Sequence, residues 1–136
     1  MTQEDKEILI RDLCGRLPYG IKASYYGADE ECETWDEVDG VAFDYVEIGQ
    51  YSLPIERIKP YLFPMSSMTD EQKKYITDKW GINEEFDFEI DPNWGEYFVE
   101  LGYTVDFIDW LNKNHFDYRG LIDKSLALDA TGLNIY

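Results

Sequence analysis

The chain has 136 residues, of which 44% are hydrophobic and 16% aromatic, so it is long enough to bury a core. Its formal net charge is −17, with 29 acidic residues against 12 basic ones. This balance argues against direct binding to nucleic acid or to an anionic membrane, because the field of the protein repels phosphate. The sequence contains no apolar run of membrane-spanning length, and we expect one domain over residues 1–136.

The chain is predicted to begin with a helix that Thr2 caps through its side chain. Apolar residues recur at helical spacing on its inner face, at Ile10, Leu13 and Leu17. Asp12 and Arg16 are four residues apart, with the acid first, and are expected to pair. Pro18 then disfavours helical geometry at the preceding residue and ends the element.

The N-terminal residues are acidic where a secretory signal peptide would be basic. Export by that route is therefore not expected. Cys14 and Cys32 are interpreted as reduced thiols of a cytoplasmic protein.

Strand patterns follow the first helix. Residues Ile21–Tyr26 form a short strand bounded by glycines, and Val38–Ile48 alternate between apolar and other side chains, as strands do. Gln50–Leu53 is a further extended piece, and Pro54–Ile58 fits one helical turn that starts with proline. We expect a small antiparallel meander here.

Two prolines interrupt the segment Pro60–Pro64, which is expected to cross the surface of the sheet rather than join it. Thr69 and Gln72 then fit a capping box, which predicts a middle helix that runs to about Trp80. Beyond this helix, residues 86–90 and 97–101 have the pattern of short strands.

The C-terminal stretch from Thr104 predicts a helical hairpin. Thr104 can cap its first helix, Asn114 can end it in the left-handed conformation, and Asp117 can cap the second. The second helix would bury Leu121, Ile122, Leu126 and Leu128. The predicted fold class is therefore α+β: an antiparallel meander packed with an N-terminal helix, a middle helix and a C-terminal helical hairpin.

The acidic excess is confined to two windows of the sequence. Between Lys22 and Arg57 there are ten acids and no basic residue, and between Lys79 and Lys113 there are nine acids and again no basic residue. If the two windows meet in the fold, they create one acidic face. Aromatic residues lie in and beside them, and such residues anchor protein interfaces, although tyrosine also suits an ordinary half-buried sheet surface.

The candidate partner-binding residues combine these acids and aromatics. They are Asp29, Glu30, Glu31, Glu33, Trp35, Asp36, Glu37, Asp39, Tyr45, Trp94 and Tyr97. The acids from 29 to 39 do not fit the spacing of a calcium loop, and acid runs are usually solvated surface, so no metal and no cofactor is predicted.

Three stretches, LPYGIK, PIERIKPYLFPMSSMTDEQKKY and DWLNKNHFDYRGLIDKSLALDA, resemble a family of small acidic proteins from gut Bacteroides and their phage-like mobile elements. The resemblance covers the two ends and the middle of the chain, but not the acidic windows. It implies a setting, a bacterial cytoplasm and a mobile-element gene, and no catalytic or binding residue.

His115 is the single histidine, and with a carboxylate nearby it can serve as a general base. The alternative is a structural histidine that fills the turn of the hairpin, and no catalytic triad is indicated. Arg119 can clamp a carboxylate or phosphate, or it can pair with Asp117 or Asp123 and cover the hairpin.

The sequence favours a non-enzymatic interaction module whose acidic, aromatic-rich face binds a basic protein, in its sharpest form as a nucleic-acid mimic or inhibitor. Two alternatives stay open. One is a small enzyme that uses His115 with a carboxylate, and the other is a structural component of a phage-like particle, for which self-association would be the first sign. The oligomeric state is not indicated by the sequence.

Overall fold

The structure is a computed structural model, and it describes residues 1–26, 33–80 and 104–136. Within these residues it is a mixed α/β fold, as predicted, with three helices and a sheet that is mainly antiparallel. The helices are α1 (Gln3–Arg16), α2 (Asp70–Trp80) and α3 (Thr104–Lys113). The strands are β1 (Lys22–Tyr26), β2 (Glu33–Ala42), β3 (Tyr45–Ile48), β4 (Tyr51–Pro54), β5 (Ile58–Pro64), β6 (Phe116–Asp117) and β7 (Leu128–Asp129). The strands predicted at 86–90 and 97–101 lie outside the described residues.

The strands are ordered β4-β3-β2-β1-β5-β6, and β7 also pairs with β5. β1 to β4 follow one another as antiparallel neighbours, and β5 returns to the free side of β1. β6 and β7 then add to β5 in parallel over two residues each. Long-range parallel pairs of this kind tie the C-terminal part of the chain to β5, at one side of the sheet.

The starts of α1 and α2 follow the predicted capping. Thr2 accepts a hydrogen bond from the Asp5 backbone while the Asp5 carboxylate accepts one from the Thr2 backbone. Thr69 and Gln72 make the same reciprocal pair at the start of α2, at 2.8 and 3.2 Å. Each pair satisfies backbone N–H groups that have no partner inside the helix.

Two apolar clusters fill the interior between these elements. In the first, Leu9 and Leu13 of α1 pack on the sheet against residues such as Ile48 and Ile58, and all four side chains are fully buried. Burial of each such side chain contributes about 1.5–3 kcal/mol. The second cluster joins α2, α3 and β6 through Ile76, Phe107, Leu111 and Phe116, with Trp80 and Trp110 packed against it.

The predicted second helix of the C-terminal hairpin does not form. Residues 118–127 are a series of turns between β6 and β7. Gly120 and Ser125 have φ angles of +71° and +61°, which a right-handed helix excludes. Asp117 does not cap a helix but binds the backbone N–H groups of Leu121 and Ile122, both at 2.9 Å, and so closes a wider loop.

The segment Pro60–Pro64 was predicted to cross the sheet surface, and that prediction is wrong, because it forms most of β5. Pro60 is opposite Ala23 of β1 and is buried. β6 and β7 pair with β5 only from Tyr61 onward, so the missing N–H group of Pro60 breaks no bond to them.

Candidate functional site

The strongest surface feature is the hairpin of β2 and β3, residues 33–48, hereafter the acidic hairpin. It contains no lysine or arginine and six acids: Glu33, Asp36, Glu37, Asp39, Asp44 and Glu47. The side chains of the last five are exposed, and Glu33 lies at the start of β2. None of these five exposed acids forms an ion pair with a side chain that the structure describes.

The strand geometry explains why these acids point outward. Val38, Val46 and Ile48 are buried in the first apolar cluster, so the alternate side chains of β3 face solvent. The first half of β2 pairs with β1 and the second half pairs with β3. A register shift between Val38 and Gly40 bends β2 at this change of partner. The acidic side chains therefore lie on a sheet that the core holds in place.

Three exposed aromatic residues lie among the acids. Trp35, Phe43 and Tyr45 are exposed by 47%, 93% and 51%. The Lys22 ammonium group lies 5.3 Å from the centre of the Trp35 ring and so partly covers it. Phe43 and Tyr45 are left as the bare apolar groups at the turn end of the acidic hairpin.

The structure brings together part of the set of predicted partner-binding residues. Trp35, Asp36, Glu37 and Asp39 lie on β2 and Tyr45 lies on β3, all exposed within one hairpin. The other predicted positions, apart from Glu33, lie outside the described residues: Asp29, Glu30, Glu31, Trp94 and Tyr97. The meeting of the two acidic windows in one face therefore stays a prediction.

His115 lies in the turn between α3 and β6 and is 8% exposed, with a φ angle of +63°. Its ring stacks on Tyr136, with ring centroids 3.6 Å apart and 13° between the planes. Burial, together with the positive charges of Arg16 and Lys22, lowers the pKa of His115 to about 4. No carboxylate of the described residues acts on this neutral imidazole, and its packing on Tyr136 fits the structural interpretation of the residue.

The pair of Asp12 and Arg16, which the sequence predicts as an ordinary helix pair, is buried, and the charge of Arg16 acts on His115. Arg16 is fully buried and donates to Asp12 through two nitrogens, at 2.8 and 3.1 Å, and to the Phe116 carbonyl oxygen at 2.6 Å. Burial opposes the charge on Arg16, but Asp12 outweighs it and raises the pKa of the guanidinium. This pair joins α1 to β6.

Arg119, whose side chain is 33% exposed, adds to this buried pair, and the prediction of Asp117 or Asp123 as its partner was wrong. Its Nε atom lies 3.4 Å from Asp12 and not beside Asp117 or Asp123. Its guanidinium also lies 5.1 Å from the ring centre of Tyr118, whose hydroxyl donates to Asn112 at 2.9 Å. Asp12, buried beneath two arginines, uses both of its carboxylate oxygens inside the protein, which indicates a structural role.

A cavity of about 380 Å³ opens beside the C-terminal turns. Three carboxylates, those of Asp117, Asp123 and Asp129, contribute to its lining, and His115 is not among the lining residues. Burial raises the pKa of Asp117, although two backbone N–H groups bind its carboxylate. Within the described residues, no three His, Cys, Asp or Glu side chains are arranged to hold a metal ion.

No helix in the described part of the chain is long and apolar enough to span a membrane. Comparison of the chain with protein-family models, with curated proteins and with solved structures found no match.

Proposed function

We propose that the protein is a non-enzymatic interaction module that binds a basic protein through the acidic hairpin. The observation that carries the proposal is the co-location of five exposed acids and three exposed aromatic rings on one core-anchored hairpin without a basic residue. Exposed charges of one sign attract an oppositely charged partner over a distance, and aromatic residues supply contact area at close range.

A protein is the class of partner that this chemistry favours. The negative field of the hairpin opposes approach to phosphate groups, whether these belong to nucleic acid or to an anionic membrane. A surface of lysine and arginine side chains complements it in charge and also provides apolar stems for the aromatic rings to contact.

The first test is affinity capture from the lysate of a gut bacterium, followed by purification of the captured protein and measurement of its dissociation constant at two salt concentrations. A charge-driven complex weakens steeply between about 50 and 300 mM NaCl, because the Debye length shortens over this range. A dissociation constant that does not respond to salt contradicts the proposal.

A pair of matched variants assigns the effect to the acidic hairpin. The first neutralises Asp39, Asp44 and Glu47 as Asp39→Asn, Asp44→Asn and Glu47→Gln. The control makes the same change in net charge at three exposed acids on the helices, as Glu7→Gln, Asp78→Asn and Asp109→Asn. We expect the hairpin variant to weaken binding about tenfold or more and to flatten its salt dependence, and the control to do neither. Equal effects of the two variants would show attraction by net charge alone.

In the sharper form of this function, the acidic hairpin mimics nucleic acid. Such a protein occupies a site that normally contacts phosphate, so DNA or RNA should compete with it for the captured partner. Competition by a short duplex or single strand identifies a mimic, whereas a ternary complex identifies an adaptor that binds elsewhere.

The two alternatives have less support from the described residues. A histidine-based enzyme needs His115 within reach of a substrate, but its ring is packed on Tyr136 and does not line the cavity beside the C-terminal turns. A structural component of a phage-like particle should self-associate, which sedimentation at several protein concentrations measures directly.

A further inference from the structure

Phe43 occupies a backbone conformation that does not suit it. Ala42 and Tyr45 are paired across β2 and β3, so Phe43 and Asp44 form a two-residue turn. The φ angle of Phe43 is +55°. Two-residue hairpins favour glycine, asparagine or aspartate in this conformation, because the Cβ atom of a bulky residue is crowded there.

No packing against the described residues compensates for this choice. The Phe43 side chain is 93% exposed, the highest exposure of any large hydrophobic residue in the described part of the chain. A glycine at this position would form the same turn more readily and would expose no apolar ring. A residue that breaks a local rule without a gain in packing points to a functional requirement.

The turn that carries Phe43 is held firmly. The backbone N–H of Ile55 donates to the carbonyl oxygen of Asp44 at 2.7 Å, which ties the turn to the end of β4. Ile55 itself is fully buried in the first apolar cluster. The backbone at Phe43 is therefore held in place, which lowers the backbone entropy lost when the ring enters a binding pocket.

We propose that Phe43 is the apolar anchor of the acidic hairpin and inserts its ring into an apolar pocket bordered by lysine and arginine on a basic protein. This inference rests on the proposed function and adds the partner's surface chemistry to it. Interfaces commonly have this organisation, with one buried aromatic residue at the centre and charged groups around it. Here Asp39, Asp44 and Glu47 provide the surrounding charges.

The acids around Phe43 argue against other binding partners for its ring. A second copy of this chain would bring two acidic hairpins together, and like charges at short range oppose that contact. A membrane surface would accept the ring, but its anionic headgroups would repel the acids around it.

The experiment places a photoreactive analogue of phenylalanine, p-benzoylphenylalanine, at position 43 of the full chain. The control carries the same analogue at position 105, where Val105 of α3 is 73% exposed. After irradiation in bacterial lysate at low salt, the crosslinked residue is identified by mass spectrometry. We expect a crosslink that is specific to position 43 and falls on apolar residues flanked by lysine and arginine. Equal crosslinking at both positions, or a crosslink to lipid or to a second copy, would overturn the inference.

Affinity measurements on the crosslinked partner, once purified, separate this inference from the proposed function. Phe43→Gly should fold with a melting temperature at or above that of the native chain and should weaken binding about thirtyfold. Phe43→Leu should keep part of the affinity, and neither variant should change the salt dependence. If the variant with the neutralised hairpin loses binding while Phe43→Gly retains it, the assignment of Phe43 as the anchor is wrong and the proposed function stands. If no protein binds the native chain in a salt-dependent manner, both are wrong.

Discussion

The ring of His115 lies flat against the ring of Tyr136, with 3.6 Å between their centroids. The contact joins the turn after α3 to the C-terminal residue, which in turn binds the sheet. The Tyr136 hydroxyl donates to the Tyr61 carbonyl oxygen at 2.8 Å and accepts from the backbone N–H of Lys22 at 3.0 Å. The single histidine therefore helps to hold the last residue of the chain across β1 and β5.

Because of this packing, we predict that the protein loses stability as the pH falls below the ordinary pKa of histidine. His115 has a pKa of about 4 in the fold, against 6.5 in an unfolded chain. Between these values the unfolded state binds more protons, so the free energy of unfolding rises with pH through this window and the contribution is complete above pH 6.5.

The measurement is urea unfolding at several pH values between about 4 and 7.5, with His115→Phe as the comparison. This variant keeps an aromatic ring on Tyr136 but cannot take up a proton. Its pH dependence in the window should be smaller by up to about one proton. Parallel curves for the two proteins would show that His115 does not titrate as described.

Tyr136→Phe isolates the hydrogen bonds from the stacking contact. The change keeps the ring on His115 but leaves the backbone N–H of Lys22 and the Tyr61 carbonyl oxygen without this partner. We expect a loss of about 1–2 kcal/mol in the free energy of unfolding, while the exposed Tyr45→Phe should change it by less than about 0.5 kcal/mol. Equal effects would mean that the hydroxyl of Tyr136 is as well solvated as that of Tyr45.

Asp12→Ala is expected to be among the most destabilising substitutions in the chain. It leaves the guanidinium of Arg16, which is fully buried, without its carboxylate, and such losses cost about 3–5 kcal/mol. Glu7→Ala, at an exposed position of the same helix, should cost less than about 0.5 kcal/mol.

A double variant tests the cause. Replacing both members of the pair, as Asp12→Leu with Arg16→Met, removes the fully buried unpaired charge and leaves only the partly exposed Arg119 without Asp12, so it should recover most of the stability. A double variant that is as unstable as Asp12→Ala would show that packing volume, and not uncompensated charge, accounts for the loss.

The sequence predicts the local features of this fold well, because they depend on neighbouring residues. The cap at Thr2, the capping box of Thr69 with Gln72 and the single helical turn that follows Pro54 are all present. Along β3 the exposure of Tyr45 and Glu47 alternates with the burial of Val46 and Ile48, whereas Trp35 and Asp36 on β2 are both exposed and show no such alternation. These features position the acidic hairpin.

The failures of prediction have long-range causes. Arg16 looks like a surface partner of Asp12, but its bond to the carbonyl oxygen of Phe116 spans 100 residues of sequence and places the pair in the interior. In the same way, the apolar spacing after Asp117 suits a helix, while the actual turns are fixed by the positive φ angles of Gly120 and Ser125 and by pairing of β7 with β5. The spacing of apolar residues along the chain does not indicate such contacts, because they join residues that are far apart in the sequence.

Asp117 supports those turns, and two substitutions separate its hydrogen bonds from its charge. Asp117→Ala leaves the buried N–H of Leu121 and the partly buried N–H of Ile122 without an acceptor, which should cost about 2–4 kcal/mol in all. Asp117→Asn keeps one side-chain oxygen as an acceptor. Because burial raises the pKa of Asp117 and so disfavours its charge, the asparagine variant should lose less than half as much as alanine.

The measurement for both variants is urea unfolding at neutral pH, with Asp123→Asn, an exposed acid that lines the same cavity, as the control. The control should stay within about 0.5 kcal/mol of the native chain. If Asp117→Asn proved as damaging as Asp117→Ala, the carboxylate charge would be essential to the turns. That result would also mean that the cavity beside them retains a fixed negative charge in its wall at neutral pH.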